Sequence, residues 1–440
     1  MKPVSTLTAT CIVIADMVGT GIFTSLGFQT EDLRTGFPIL MLWLVGGVCA
    51  LCGALSYAEL GAALPRSGGE YHFLSRIYHP AAGFLAGWVS ATVGFAAPVA
   101  LAAMAFGKYL TGIFPDLPGL GDRLPPQTWL ALLITAIITL ILLRSARLGS
   151  LFQDGATFLK LALMLVIAAA GFLISQAQPI SFLPVPGDAK SLTSAPFAVS
   201  LVYVMYAYAG WNASTYLAGE VRDPSRSIPL SVGIGTLVVM LLYLAVNAAF
   251  LRSTPIPAMA GKIEVGLIAG DSLFGRHGAK VMAGLICTGL ISSISAMMWI
   301  GPRITMTMGE DFSALRWLSR RTPQGIPKAA TLAQGAIVAL LILTSAFAEV
   351  LTCVQFALQA CSFLTVLGVI VLRQTQPNLP RPYKTWGYPV TPLLFLLISA
   401  WMMAHILRSH PRETLLGLSI LALGLLLYFV FPSRNLAPTK

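Results

Sequence analysis

The sequence predicts an all-α polytopic membrane protein with twelve transmembrane helices, of which the first and sixth are broken near mid-membrane. Three observations carry this expectation. Only 10% of the 440 residues are charged and 56% are apolar, against about 25% charged in an ordinary soluble domain. Apolar stretches of about 20 residues, the length that spans a bilayer at 1.5 Å per residue, recur from end to end. Glycine and small polar residues interrupt two of those stretches, which lie five spans apart.

The stretches fall near 5–25, 37–64, 81–107, 127–143, 151–175, 195–219, 228–250, 279–301, 329–347, 351–373, 388–407 and 414–432. Each is read as a helix because a chain in lipid must satisfy its backbone groups within itself. The first holds Val18-Gly19-Thr20-Gly21-Ile22-Phe23 at its centre. The second is rich in Gly and Ala and carries Cys49 and Cys52, which read as small packing residues rather than a redox pair. The fifth carries Lys160, the only lysine buried well within an apolar span rather than at its edge. The sixth contains Tyr206-Ala207-Tyr208-Ala209-Gly210-Trp211-Asn212. Helices 1–5 (1–175) and 6–10 (195–373) are expected to form two inverted repeats, followed by helices 11 and 12 (388–432).

A net charge of +11 does not point to nucleic acid, because the basic residues are scattered between spans rather than gathered into a patch with aromatic residues. Their placement reports topology. With a cytoplasmic amino terminus, the inside segments carry about 17 Lys/Arg and the outside ones about 10, as the positive-inside rule requires of an even number of spans. A cytoplasmic-membrane protein with both termini inside is expected, without a cleavable leader. Gly107-Lys108 and Gly261-Lys262 lack the Ser/Thr of a phosphate-binding loop, so a gradient rather than nucleotide hydrolysis is expected to supply energy. The histidines have no metal-ligand spacing and the cysteines lie in apolar stretches, so neither a metal site nor a cofactor is expected.

A helix broken in mid-membrane frees N–H groups that can hold a carboxylate and carbonyls that can hold a cation. Gly19 and Gly21 also fit close helix packing with no break at all. Composition alone leaves both readings open.

Five ordered motifs favour the break. They are Gly19 to Phe23; Ser56-Tyr57-Ala58-Glu59-Leu60-Gly61 with Ser67-Gly68-Gly69-Glu70-Tyr71; Tyr206 to Asn212; Glu220 to Pro229; and Arg381-Pro382-Tyr383-Lys384 with Gly387-Tyr388-Pro389. In these the chain resembles the amino acid–polyamine–organocation superfamily, specifically its L-amino-acid-transporter-like branch, over nearly its whole length. The resemblance implies the LeuT-type five-plus-five inverted repeat and secondary transport of an amino acid by alternating access. Gly19, Thr20 and Gly21 would offer amides and a hydroxyl to the substrate carboxylate, and Ala207, Ala209 and Gly210 backbone would receive the ammonium. Tyr206 would stand as an aromatic gate where the family usually has Phe, with Asn212 beside the substrate. Lys160 would place its ammonium where sodium-coupled relatives hold sodium, near Ala15, Val18 and Ser293. That implies sodium-independent exchange or proton-coupled uptake. Read without the resemblance, Lys160 is a snorkelling lysine.

Asp16 departs from the family, which usually has a small residue before the break. An acid at this depth is costly and a functional candidate by default. It can clamp the N–H groups freed near Ala209 and Gly210, pair with Lys160, bind a cationic group or carry a proton. Glu59, Glu70 and Glu220 read as ion-pair partners of nearby arginines such as Arg66, Arg76 and Arg222.

The expected function is transport of neutral L-amino acids, with a cationic amino acid or polyamine carrier, or a transporter-like substrate sensor, as alternatives. An enzyme is not expected, because the spans hold no convergent nucleophile, base and metal ligands. The expected partners are substrate and membrane lipid. Some animal relatives attach to a heavy chain through a cysteine between helices 3 and 4; the segment 108–126 has none, so no disulfide-linked heavy chain is expected.

Overall fold

The computed structural model describes residues 4–120, 124–144, 146–173, 179–322, 325–344 and 347–430, with the side chains of 146–154, 156, 347–349 and 353 outside the description. The termini at 1–3 and 431–440, the Arg147 side chain and the Cys353 side chain therefore lie outside the described residues.

The first helix, α1 (Thr6–Met17), starts under a Ser5 cap whose Oγ accepts the Thr8 N–H at 3.1 Å. Val18 leaves helical geometry (ψ 80°), and α2 (Gly21–Asp32) resumes after Thr20. Next come α3 (Gly36–Ala63), the short α4 (Glu70–Ile77) and α5 (Pro80–Val89). A π-helical turn at Ser90–Gly94 carries α5 into α6 (Ala96–Ile113). Then follow α7 (Pro126–Arg144), α8 (Ala146–Leu173), the short α9 (Asp188–Leu192) and α10 (Ala195–Tyr208). Helix α10 ends where Ala209 turns to ψ 145° and Gly210 to φ 104°, and one 3-10 turn (Ala213–Leu217) follows. The positive φ at Gly210 is a conformation glycine adopts without steric penalty.

The remaining helices are α11 (Pro224–Ser253), the short α12 (Ile256–Met259), α13 (Val265–Asp311), α14 (Lys328–Thr344), α15 (Phe347–Thr375), α16 (Val390–Ser409) and α17 (Pro411–Val430). The described parts of the expected apolar stretches are largely helical, apart from interruptions near 18–20 and 209–212. Among the described residues nine helical stretches are long and apolar enough to cross a membrane, with shorter apolar helices at Thr157–Leu173 and Lys328–Thr344. The sixth expected stretch is not a single helix, because the chain leaves α10 after 14 residues.

Burial sorts the helices into an inner and an outer set. In the Thr6–Asp32 stretch 94% of the apolar window is buried, against 17% in α17. The broken first helix therefore sits at the centre, packed on α8, α11 and α13, while α17 turns Leu426 and Phe429 outward. An apolar exterior of this kind suits lipid, where the drive to bury leucine is lost and helices associate through close packing of small residues. The two breaks meet in such a contact. A Cβ added to Gly21 would lie 2.4 Å from Ala207 Cα, so only glycine lets the two backbones approach this closely. The protein is an all-α, multi-pass membrane protein.

Replacing Gly21 by Ala forces these backbones apart and should destabilise the purified protein by about 1–3 kcal/mol, the usual penalty of overpacking. Gly284, whose added Cβ would meet nothing within 4 Å, is the control, since Ala there also favours helix. Thermal unfolding in detergent should show a lower midpoint for Gly21→Ala and none for Gly284→Ala. Equal midpoints would place the two backbones further apart than described.

Candidate functional site

Three of the carbonyls at the break in helix 1, those of Ala15, Met17 and Val18, find donors inside the protein. Lys160 Nζ, from α8, donates to Ala15 O at 3.1 Å, to Val18 O at 2.8 Å and to Ser293 Oγ at 2.7 Å. Ser293, on α13, also reaches Val18 O at 2.9 Å. Lys160 is 3% exposed; an ammonium this deep is tolerable because its three N–H donors have three acceptors. The third carbonyl, Met17 O, accepts the Tyr243 hydroxyl at 2.7 Å and the Gly19 N–H at 2.8 Å.

Tyr243, on α11, joins the breaks. Its hydroxyl also lies 3.0 Å from Ala207 O, so one proton is shared between carbonyls of helices α1 and α10. Nothing in the sequence singled out this tyrosine, because a Tyr in an apolar span reads as packing until its hydroxyl is known to face two frayed helix ends.

The donors left over belong to α2. Its first amides, at Gly21 and Ile22, have no earlier turn of their own helix to reach. Beside them Thr20 Oγ1 and Tyr206 OH lie 2.9 Å apart. Two hydroxyls carry two protons and spend one on each other, so the pair keeps one to donate. The hydroxyl that Tyr206 adds to the gate position thus has its partner in Thr20.

These groups border one cavity. Gly19, Thr20, Gly21, Tyr206, Ala209, Gly210, Asn212, Ser293 and Asp16 line it, so the structure brings together most of the residues singled out from sequence. Two expected contributions fail. Ala207 does not line the cavity: Gly21 covers its backbone and Tyr243 takes its carbonyl. The Gly19 N–H turns back onto Met17 O and is not offered to the cavity.

The Asp16 clamp is also corrected. No hydrogen bond among the described residues joins the Asp16 carboxylate to Ala209 or Gly210, and Asp16 Oδ1 is buried without a partner. The left-handed turn at Gly210 is the reason, since it brings the Cα of Gly210 rather than its amide against the acid. A Cβ built there would fall 2.8 Å from Asp16 Oδ2.

The three glutamates separate. Glu59 accepts Arg373 Nη2 at 2.6 Å and Thr385 N at 2.7 Å, with Arg381 Nε at 3.4 Å. Glu220 accepts Arg303 Nε at 2.9 Å. Both are ion-paired, though with arginines far away in sequence rather than those nearby. Arg66 pairs instead with Asp311 at 3.0 Å. His72, beside that pair, is pushed down to about 4 by burial and by Arg66 and Arg76, so its imidazole is neutral at pH 7 and adds no charge. Among the described residues Glu70 has no cationic partner, and it lines the cavity.

Buried helices broken at facing points around an acid-lined cavity define a membrane carrier with a small-molecule site. The amino acid permease family profile matches residues 4–428, and the chain belongs to that family, which is one of carriers and not of enzymes. Over 98% of its length it is 27% identical to 88% of the rat (Rattus norvegicus) b(0,+)-type amino acid transporter 1. It is 28% identical to 80% of the human (Homo sapiens) large neutral amino acids transporter small subunit 2, again over 98% of its length. A third relative, the mouse (Mus musculus) Asc-type amino acid transporter 1, is 26% identical over 98% of this chain and 81% of its own.

Tyr243→Phe should take the hydroxyl donor from Ala207 O and leave Met17 O with the Gly19 N–H alone, a loss of about 1–3 kcal/mol. Thermal unfolding of the variant should show a lowered midpoint, and limited proteolysis should open new cuts near residues 17–21 and 207–212. An unchanged midpoint and cutting pattern would mean that the hydroxyl does not link the breaks.

Proposed function

We propose that this protein is a secondary carrier of α-amino acids that works by alternating access without sodium. The observation that supports it most is the division of labour at the helix 1 break: the carbonyls of Ala15, Met17 and Val18 are served by protein donors, while Thr20 and Gly21, where α2 begins, line the cavity. Such an arrangement suits a carboxylate at a helix N-terminus. The substrate ammonium would lie against Asp16 Oδ1 and the backbone at Ala209 and Gly210, with Tyr206 closing over it.

The ammonium of Lys160 takes the place of an alkali cation in this reading. A sodium ion needs several oxygen ligands, and the oxygens best placed to supply them already receive N–H bonds. Exchange of internal for external substrate, or entry with a proton, would then drive accumulation. Ten of the twelve spans, in two inverted repeats (1–175 and 195–373), would supply the rocking halves.

By the positive-inside rule the loops carrying Arg66, Arg76, Arg222 and Arg226 face the cytoplasm, together with both termini, in the cytoplasmic membrane. On that side Arg66–Asp311, Arg303–Glu220 and Arg321–Glu310 pairs would close the path below the cavity and separate as it opens. The segment 108–126 offers no cysteine for a disulfide-linked heavy chain, and the reading needs none.

Uptake of a panel of radiolabelled amino acids into proteoliposomes tests the proposal. At least one should enter at the same initial rate when choline replaces sodium, and faster when the vesicles are preloaded with that substrate. A strict sodium requirement would overturn the role given to Lys160, and failure to take up any amino acid would overturn the carrier reading.

A further inference from the structure

The cavity holds buried acceptors beyond Asp16, on elements other than the broken helices. Glu70, the first residue of α4, is 2% exposed. Its Oε1 accepts Tyr57 OH, Ser362 Oγ at 2.9 Å and Asn212 Nδ2 at 3.5 Å, whereas Oε2 is buried with no donor. Gln355, on α15, is 3% exposed and lines the same cavity. Its amide donates to Gln359 Oε1 at 3.4 Å, and Gln359 donates in turn to Ser399 Oγ at 2.7 Å. This chain turns Gln355 Nε2 away and leaves Oε1 without a partner. A buried acceptor without a donor is destabilising, so both groups are arranged for a donor that the protein does not contain.

Charge points the same way. Of the groups lining the cavity, Asp16 and Glu70 are acids and none is basic; Lys160 lies behind the helix 1 break, bonded to Ala15, Val18 and Ser293. With Asp16 and Glu70 both ionised, two carboxylates and one ammonium leave one negative charge in a low-dielectric site, where an unpaired charge is unfavourable. A zwitterion carries no net charge and leaves that excess in place. A substrate of net charge +1 cancels it.

We propose that Glu70 Oε2 and Gln355 Oε1 form a side-chain subsite that accepts a cationic group, so that the preferred substrate is a dibasic amino acid with an ammonium or guanidinium at the end of its side chain. This rests on the carrier reading above and adds to it the class of substrate. The α-carboxylate would meet the α2 amides, the α-ammonium would meet Asp16, and the distal cation would meet Glu70. Neither residue lies on a broken helix, so the common grip and the reading of the side chain are carried by different elements. Asn212 connects them, since it stands in the helix 6 break and donates to Glu70 and, at 3.2 Å, to Tyr216 OH. The earlier expectation of a neutral substrate is set aside here because a neutral side chain leaves Oε2 of Glu70 bare.

The test compares L-lysine with L-norleucine, which keeps the carbon chain and lacks the distal ammonium. In proteoliposomes the wild type should prefer lysine in kcat/KM by at least about tenfold, and Glu70→Gln, which replaces a charged acceptor by a donor, should bring the ratio down by about tenfold. Purified wild type should also be stabilised against heat by lysine more than by norleucine, a readout that does not depend on turnover. If Glu70→Gln does not fold, Gln355→Leu reads the same ratio and should lower it. Norleucine uptake equal to or above that of lysine, or an unchanged ratio in both variants, would overturn the subsite and leave the carrier standing. Absence of uptake of either compound and of every other amino acid would overturn the carrier, and the subsite with it.

Discussion

The ammonium of Lys160, held between α8, the end of α1 and Ser293 of α13, is the contact on which the rest of the site depends. Each side of it is unfavourable alone. A lysine at mid-bilayer is penalised by about 2.5–3.5 kcal/mol on insertion scales, and carbonyls released from a helix and buried without donors lose about 1–3 kcal/mol each. Brought together they satisfy one another, so the break in helix 1 can persist in a dry environment. Because the carbonyls of Ala15, Met17 and Val18 are served from behind, the start of α2 at Thr20 and Gly21 is left to border the cavity.

The second break is tied to the first by contacts that work through backbone rather than charge. Gly21 lets α2 lie against Ala207, Gly210 turns the chain across Asp16, and Tyr243 shares one proton between Met17 O and Ala207 O. A displacement of either broken helix therefore strains the other. That is the coupling a carrier requires if substrate bound between two helices is to move both. Charged pairs lie away from this centre, where Arg66, Arg303 and Arg373 meet acids on other helices, and solvent can reach them when they separate.

Much of this fold was legible because lipid imposes a strong rule, and the described parts of the apolar stretches are largely helical. The break in helix 6 was favoured by the motif from Tyr206 to Asn212 and its resemblance, because composition alone left close packing equally open. The depth of Lys160 and its neighbours Ala15, Val18 and Ser293 followed from resemblance, not from spacing, which left a snorkelling lysine open. Three things were not legible. Tyr243 looks like packing in sequence, because its importance lies in which carbonyls its hydroxyl meets. Glu70 follows two glycines near Arg66 and Arg76 and so reads as an ion-pair partner, yet α4 turns it inward to the cavity while Arg66 goes to Asp311. Asp16 was placed at the right break with the wrong bonds, since helical periodicity fixes a direction but not whether an amide or a Cα arrives from the facing chain.

The central claim is that an amine built into the protein does the work of a bound cation at the helix 1 break. Its most direct test is the initial rate of amino acid uptake by Lys160→Ala in proteoliposomes, at equal amounts of protein shown to be folded, in sodium and in choline. The account predicts a fall of at least about tenfold in choline, a change of about 1.4 kcal/mol or more in the barrier. Uptake at the wild-type rate in choline would contradict it and return Lys160 to a lysine that merely packs.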